Sequence, residues 1–304
     1  MPNTISTKTF RDKYRSASLA QLLRRALIAE AICEVDRGGN KTIQNPYGSQ
    51  PTVTVQALAG TYSINTYTTT DDTLTVTYEI IVAEHVFDFE ETLTRFDLFA
   101  NRTDEQNFAV AAAVDKFVLN TLVTNAGQDY TAPTGGFGTT ANVPVIVSNL
   151  IAKVAGFSET YRGLYLVLES IDLVGVIQTQ VAAGFSYADS ALRNGLITTY
   201  MGVDVYVTRP STFFTGTLGT SFTNQGKRLF GVKRACTYAE PRGVRFEEKG
   251  VSGKTGMEIV TFAYIGAKVW ANNSELTVAI INNGSSTSAS ASKSPSLSPS
   301  QSPS

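Results

Sequence analysis

The chain of 304 residues has little of what most catalytic centres are built from: one histidine and two cysteines. His85 stands alone, and Cys33 and Cys236 are far apart with no C-x-x-C spacing, which excludes a zinc site of ordinary composition. The same count excludes a disulfide scaffold. It allows one bridge at most, and such usage suits a reducing compartment. Charge is scarce as well, at 17% of residues, and the two signs nearly cancel, 25 basic against 26 acidic. A net of −1 excludes a global field for nucleic acid or for an anionic membrane. No apolar run reaches the roughly 18 residues of a membrane span. The opening MPNTISTKTFRDKYR lacks the apolar core of a secretory signal, so a cytoplasmic product is expected.

Motifs that carry chemistry are missing in the same way. The stretch KGVSGKTGM, 249–257, holds Gly253-Lys254-Thr255, the close of many phosphate-binding loops. Its required upstream glycine is replaced by Glu248, a carboxylate that repels phosphate. The following GMEIVTFAYIGAKVW is β-branched and aromatic, so a strand follows and no helix N-terminus faces an anion. A Gly-rich turn between strands is the expectation. Gly136-Phe137-Gly138 is a poor dinucleotide fingerprint: no clear strand precedes it, and Pro144 opposes a helix starting inside it. Asp71-Asp72 and Glu90-Glu91 are adjacent pairs that face opposite sides of a strand, so neither forms a two-carboxylate site. No calcium loop and no G-x-S-x-G elbow is present. His85, inside IIVAEHVFDF, shares its face with Ala83 and Phe87 and reads as a half-buried, hydrogen-bonded histidine. No catalytic, cofactor or metal residue is therefore expected, and the chain does not read as an enzyme.

What the sequence does have is core-forming capacity. Hydrophobic residues make up 42%, and a surface of Thr, Ser, Asn and Gly suits one that becomes interface. The N-terminal KTFRDKYRSASLAQLLRR, ending in Arg24 and Arg25, is basic. DDTLTVTYEIIVAEHVFDFEE carries Asp71, Asp72, Glu90 and Glu91, and no Lys or Arg occurs between Lys41 and Arg95. The basic and acidic stretches either pair, within or between copies, or are separately solvated. Leu19, Leu22, Leu23, Ala26 and Leu27 predict a helix over 17–36 stopped at Gly38-Gly39. Strands follow from Thr42 to about Glu91 and include a long two-stranded excursion that cannot stand alone. Thr103 and Gln106 fit a capping box opening a helix of about six turns, ~33 Å, to residue 125, with Gly127 after its close. A Gly/Pro/Thr-rich connection leads to alternating helix and strand, then to strands at RLFGVKRACTYA, GVRFEE, EIVTFAYIGAKVW and ELTVAII. The final SSTSASASKSPSLSPSQSPS has almost nothing to bury and reads as a disordered tail.

In this order the pieces resemble the major capsid protein of tailed bacteriophages, the Hong Kong 97-like fold. The echoes are QNFAVAAAVDKFVLNTL, RGLYLVLESIDLVGVIQ, ALRNGLITTYMGVDVYVTRP and AYIGAKVWANNSELTVAI. The resemblance implies an α+β chain divided as follows: N-terminal arm with helix, 1–41; extended β-hairpin loop and peripheral strands, 42–91; spine helix and connection, 92–144; mixed α/β axial domain, 145–235; returning peripheral strands, 236–284; and tail, 285–304. It implies self-assembly through pentamers and hexamers into an icosahedral shell around double-stranded DNA. The expected partners are further copies, separate scaffolding, portal and decoration proteins, and packaged DNA held without sequence preference, but no membrane. The expected location is the virion, assembled in the host cytoplasm. Too few residues precede the hairpin for a long cleaved scaffolding segment. No Lys lies between Lys41 and Lys116, so a covalent cross-link from the hairpin is not expected. Candidate inter-subunit contacts are Arg24, Arg25, Asp71, Asp72, Glu90, Glu91, Lys249 and Lys254, the two lysines being otherwise solvated turn residues. The rival readings are an encapsulin-like compartment, a tail-tube or decoration protein, and an enzyme with a site around His85.

Overall fold

In the computed structural model, residues 27–48, 53, 55, 60, 64, 66–86, 98–156, 163–182, 196–250 and 257–283 are described. The first elements are a short helix, α1 (Ile28–Ile32), and a short strand, β1 (Glu34–Asp36). The helix expected over 17–36 therefore stops early. After Ile32 the chain finds a strand partner instead: β1 pairs in parallel with the strand Cys236–Ala239, and the Arg234 N–H donates to the Ile32 carbonyl at 2.8 Å. At the other end of α1, the Asp115 carboxylate accepts from the Ala29 N–H at 3.0 Å and the Ile28 N–H at 3.3 Å. A side chain from a distant helix thus does the work of an N-cap that Leu27 cannot do.

Next come β2 (Thr42–Gly48) and β3 (Thr69–Thr75), antiparallel from Thr42 opposite Thr75 to Gly48 opposite Thr69, and then β4 (Tyr78–Val86). Helix α2 (Leu98–Thr124) has 27 residues, about 40 Å long. It begins before Thr103, so the capping-box reading fails. Thr103 and Gln106 are buried inside the helix, and Gln106 Oε1 accepts from the Thr261 hydroxyl at 2.8 Å. A local capping signal was outweighed by a tertiary hydrogen bond. Gly127 is required by a close approach: a Cβ there would lie 2.6 Å from the Ser274 backbone, whose carbonyl accepts the Gly127 N–H at 3.1 Å.

The remaining elements are β5 (Gln128–Thr131), α3 (Asn142–Ala155), β6 (Leu164–Glu169), α4 (Leu173–Ala182), β7 (Leu196–Tyr200), β8 (Val203–Thr208), β9 (Thr215–Leu218), β10 (Thr220–Thr223), β11 (Lys227–Val232), β12 (Cys236–Ala239), β13 (Arg245–Gly250), β14 (Met257–Val269) and β15 (Thr277–Ile281). They form a mixed six-stranded sheet in the order β5-β15-β11-β6-β8-β7. A five-stranded sheet runs β1-β12-β14-β13, with β4 also on β14. The Gly-Lys-Thr triplet lies outside the described residues, but its flanks pair as antiparallel strands, Gly250 opposite Met257. The strand expected after the triplet is therefore β14.

Strand β6, LYLVLE, explains how the parts meet. Every residue is buried, and alternation sends them two ways. Tyr165 and Val167 join a core with Val114, Phe117 and Val118 of α2 and with Ala263 and Ile265 of β14. Leu164, Leu166 and Leu168 join a second core with Ile146, Val147 and Leu150 of α3. Helix α2 is thereby packed between the two sheets. Gly136-Phe137-Gly138 forms a 3₁₀ turn whose Phe137 plugs the second core, so the motif serves packing through its phenylalanine.

Candidate assembly surface

The β2–β3 hairpin pairs with no other strand among the described residues. Its root is held by a small apolar cluster in which Leu74, Val76 and Ile43 meet Ala239 and Trp270. Trp270 donates from Nε1 to the Thr237 hydroxyl at 2.8 Å, which sets the ring. Lys268 Nζ bonds the Asp72 carboxylate and donates to the Thr73 carbonyl at 2.6 Å. The second Asp72 oxygen accepts from the Ala271 N–H at 3.0 Å. Partial burial raises the Asp72 carboxyl, but Lys268 and the Ala271 N–H outweigh this and hold it below the usual value.

Beyond the root the hairpin reverses the ordinary rule of burial. Val53, Val55, Ile64 and Tyr67 are 84%, 95%, 87% and 70% exposed. Four large apolar side chains this exposed along one excursion are candidates for contact with another body.

Of the residues singled out from sequence, Asp71 and Asp72 lie on opposite sides of β3, as alternation predicts: Asp71 is exposed and Asp72 turns inward to Lys268. Lys249 stands in β13 opposite Glu258 of β14, which in turn stands opposite His85 of β4, so the three occupy one row across the sheet. Arg24, Arg25, Glu90, Glu91 and Lys254 lie outside the described residues, as do positions 17–26 of the expected helix and the Ser/Pro tail.

Two buried polar networks were missed, because their partners are far apart in sequence. Arg228 of β11 bridges Glu169, at 3.1 Å, and Asp172. Asn282 donates to Asp172 at 2.8 Å and the Phe213 N–H to Glu169 at 3.1 Å. Burial raises the Glu169 carboxyl, only partly countered by Arg228. One guanidinium faces two carboxylates, and with the Asn282 amide and the Phe213 N–H as further donors the arrangement is a clamp between β6, the turn into α4, and β11. The second network centres on Asn120 of α2, which donates to the carbonyls of Lys116 at 2.6 Å and Thr212 at 2.8 Å. Asn224 donates back to the Asn120 carbonyl at 3.0 Å and to the Thr124 hydroxyl at 2.9 Å. Among the described residues, no group of three or more His, Cys, Asp or Glu is placed to hold a metal, and no helix is long and apolar enough to cross a membrane.

No family model and no curated protein matches the sequence. Solved structures do match. A chain of the cyanophage P-SCSP1u capsid superimposes with a TM-score of 0.66 at 12% identity, covering 85% of this chain and 88% of that one. A chain of Mycobacterium phage Che8 gives 0.65 at 16%, covering 86% and 93%. The chain has the fold of tailed-phage capsid proteins. A virus-like particle from Pyrococcus furiosus gives 0.59 at 10%, covering 88% and 98%. At such identities the capsid fold is shared through its shape: buried positions need only suitable size and polarity, so the same packing recurs with different residues.

Proposed function

We propose that the chain is the major coat protein of a tailed phage, assembling through pentamers and hexamers into an icosahedral shell around double-stranded DNA. The observation that carries this reading is the β2–β3 hairpin, tied down at Lys268 and Trp270 but bare at Val53, Val55, Ile64 and Tyr67. A two-stranded ribbon is marginal alone, and a neighbouring copy is the natural body to cover it. Helix α2 then serves as the spine, β6, β7, β8 and β11 with α3 and α4 as the axial domain of 145–235, and the sheet around β14 as the peripheral part. Residues 1–41 are the arm, and 236–284 return to the peripheral strands through β12, β13 and β14 before β15 joins the axial sheet beside β5. Arg24, Arg25, Asp71, Glu90, Glu91, Lys249 and Lys254 make contacts between subunits in this reading, while Asp72 acts indirectly by holding the hairpin root. Scaffolding, portal and decoration proteins and packaged DNA are the further partners, the virion is the location, and the host cytoplasm the place of assembly.

A second reading keeps the shell and changes its content. The similarity to a virus-like particle from Pyrococcus furiosus spans nearly all of that chain and supports a self-assembled particle, which in an encapsulin-like compartment would enclose a protein cargo. The test is negative-stain electron microscopy with light scattering on the purified chain, alone and with a co-expressed scaffold candidate. Closed shells or rings support a coat. Nuclease-protected DNA in shells from the native host selects the phage reading, and a co-purifying protein selects the compartment. A chain that stays monomeric under both conditions overturns the proposal.

A further inference from the structure

The two cysteines, 203 residues apart in sequence, meet in the core with their Sγ atoms 3.2 Å from each other. Cys33 closes α1 and Cys236 opens β12, and the parallel register of Glu34 with Thr237 carries back one position to set them side by side. Neighbouring strand positions lie about 4.8 Å apart at Cα, within the span a disulfide bridges. Both are buried free thiols. Small core residues alone do not require sulfur at two facing positions, and neither thiol takes part in the hairpin root or the polar networks. We propose that Cys33 and Cys236 form an intramolecular disulfide on oxidation, stapling the α1–β1 segment to the sheet around β14.

The chemistry balances with hydrogen peroxide as oxidant. One thiolate attacks a peroxide oxygen and expels hydroxide, giving a sulfenic acid. The second sulfur attacks that sulfur, the S–S bond forms and the S–O bond breaks. The protons of the two thiols convert the departing hydroxides to water, so two thiols and one peroxide give one disulfide and two waters. A small oxidant is required because both sulfurs are enclosed. The surroundings also slow the reaction: burial, the facing Cys236 and the Asp115 carboxylate push the Cys33 thiol well up, so thiolate is scarce. The way in is release of β1, a strand of three residues at the edge of its sheet. A reducing cytoplasm keeps the pair as thiols, and the bond forms once the protein is in oxidising surroundings. The inference does not depend on the shell reading.

The test uses the full-length protein, treated with dilute hydrogen peroxide, then denatured, alkylated and digested. The expected result is a monomer two hydrogens lighter, alkylated at neither cysteine, with a peptide joining Cys33 to Cys236. Its urea midpoint rises by about 1 M over the reduced protein and falls back with dithiothreitol. Cys236→Ala shows no such rise. Alkylation of both residues after oxidation, separate sulfinic acids, or cross-links between chains each overturn the proposal. The peptide map on the unaltered sequence decides even where the alanine variant does not fold.

Discussion

Lys268, near the end of β14, reaches across to Asp72 of β3 and ties the base of the hairpin to the five-stranded sheet. The ammonium also lies 5.6 Å from the centre of the Trp270 ring. Replacing it with Met leaves the Asp72 carboxylate with only the backbone N–H groups of Ala271 and Thr73. Lys268→Met should cost about 1 kcal/mol in the isolated chain, since the pair is partly solvated. Shell yield should fall by far more, because a loosened hairpin must be re-ordered at every contact. Urea denaturation and light scattering on the same preparations separate the two effects, and equal losses in both would argue against a role for the hairpin in assembly.

Asp71 points away from Lys268 into solvent. Asp71→Lys should leave the stability of the single chain within about 0.5 kcal/mol. A changed yield or salt dependence of shells, read by electron microscopy across salt concentrations, is expected if Asp71 meets a neighbouring copy. Unchanged assembly removes it from the contact set.

Asn120 stitches α2 to the loop around Thr212 and to Asn224. Asn120→Ala strands buried partners at once and should destabilise by about 2 kcal/mol. Asn224→Ala should cost a similar amount, and the double variant less than the sum, because both remove one shared network. Additive losses in chemical denaturation would show that the two act separately.

Arg228 lies with Glu169 and Asp172 where water is nearly excluded. Arg228→Met leaves two carboxylates buried without their cation, at a cost of about 3–5 kcal/mol. Adding Glu169→Gln to that variant should restore part of the loss. A milder effect from Arg228→Met alone would mean the carboxylates reach water.

Acid should act in opposite directions at two carboxyls. Glu169 titrates above its ordinary 4.5 in the folded chain, so between 4.5 and its raised value the native state keeps a proton that the unfolded chain has lost. Stability from this group falls as pH rises through that window and recovers on acidification. The difference between the wild-type chain and Glu169→Gln should therefore move against the wild type as pH rises from 4.5. Asp72, lowered from 3.8, contributes stability that is present above 3.8 and disappears as pH falls through its folded value. Asp72→Asn should remove that acid-side loss. Denaturation curves for the two variants at closely spaced pH values check both signs.

The order of elements was legible in the residues themselves. The apolar stripe from Phe108 to Val123 marked the long helix, and GMEIVTFAYIGAKVW the strand that denied Gly-Lys-Thr its helix. Alternation also placed Asp71 and Asp72 on opposite faces. These are short-range facts, determined by periods of 3.6 and 2 along the chain. Element ends were not legible in that way. Glu34–Asp36 left the expected helix for β12, and α2 began before its apparent cap, because partners far along the sequence outweighed local preference. The partners themselves were decided only by the tertiary structure: Lys268 for Asp72, Asn224 for Asn120, Arg228 for Glu169 and Asp172, and Cys236 for Cys33. Nothing in the local pattern around one member specifies the other. Each pair forms because the packed sheets and helices bring distant backbone together, and at the buried pairs packing also excludes the water that would otherwise satisfy them.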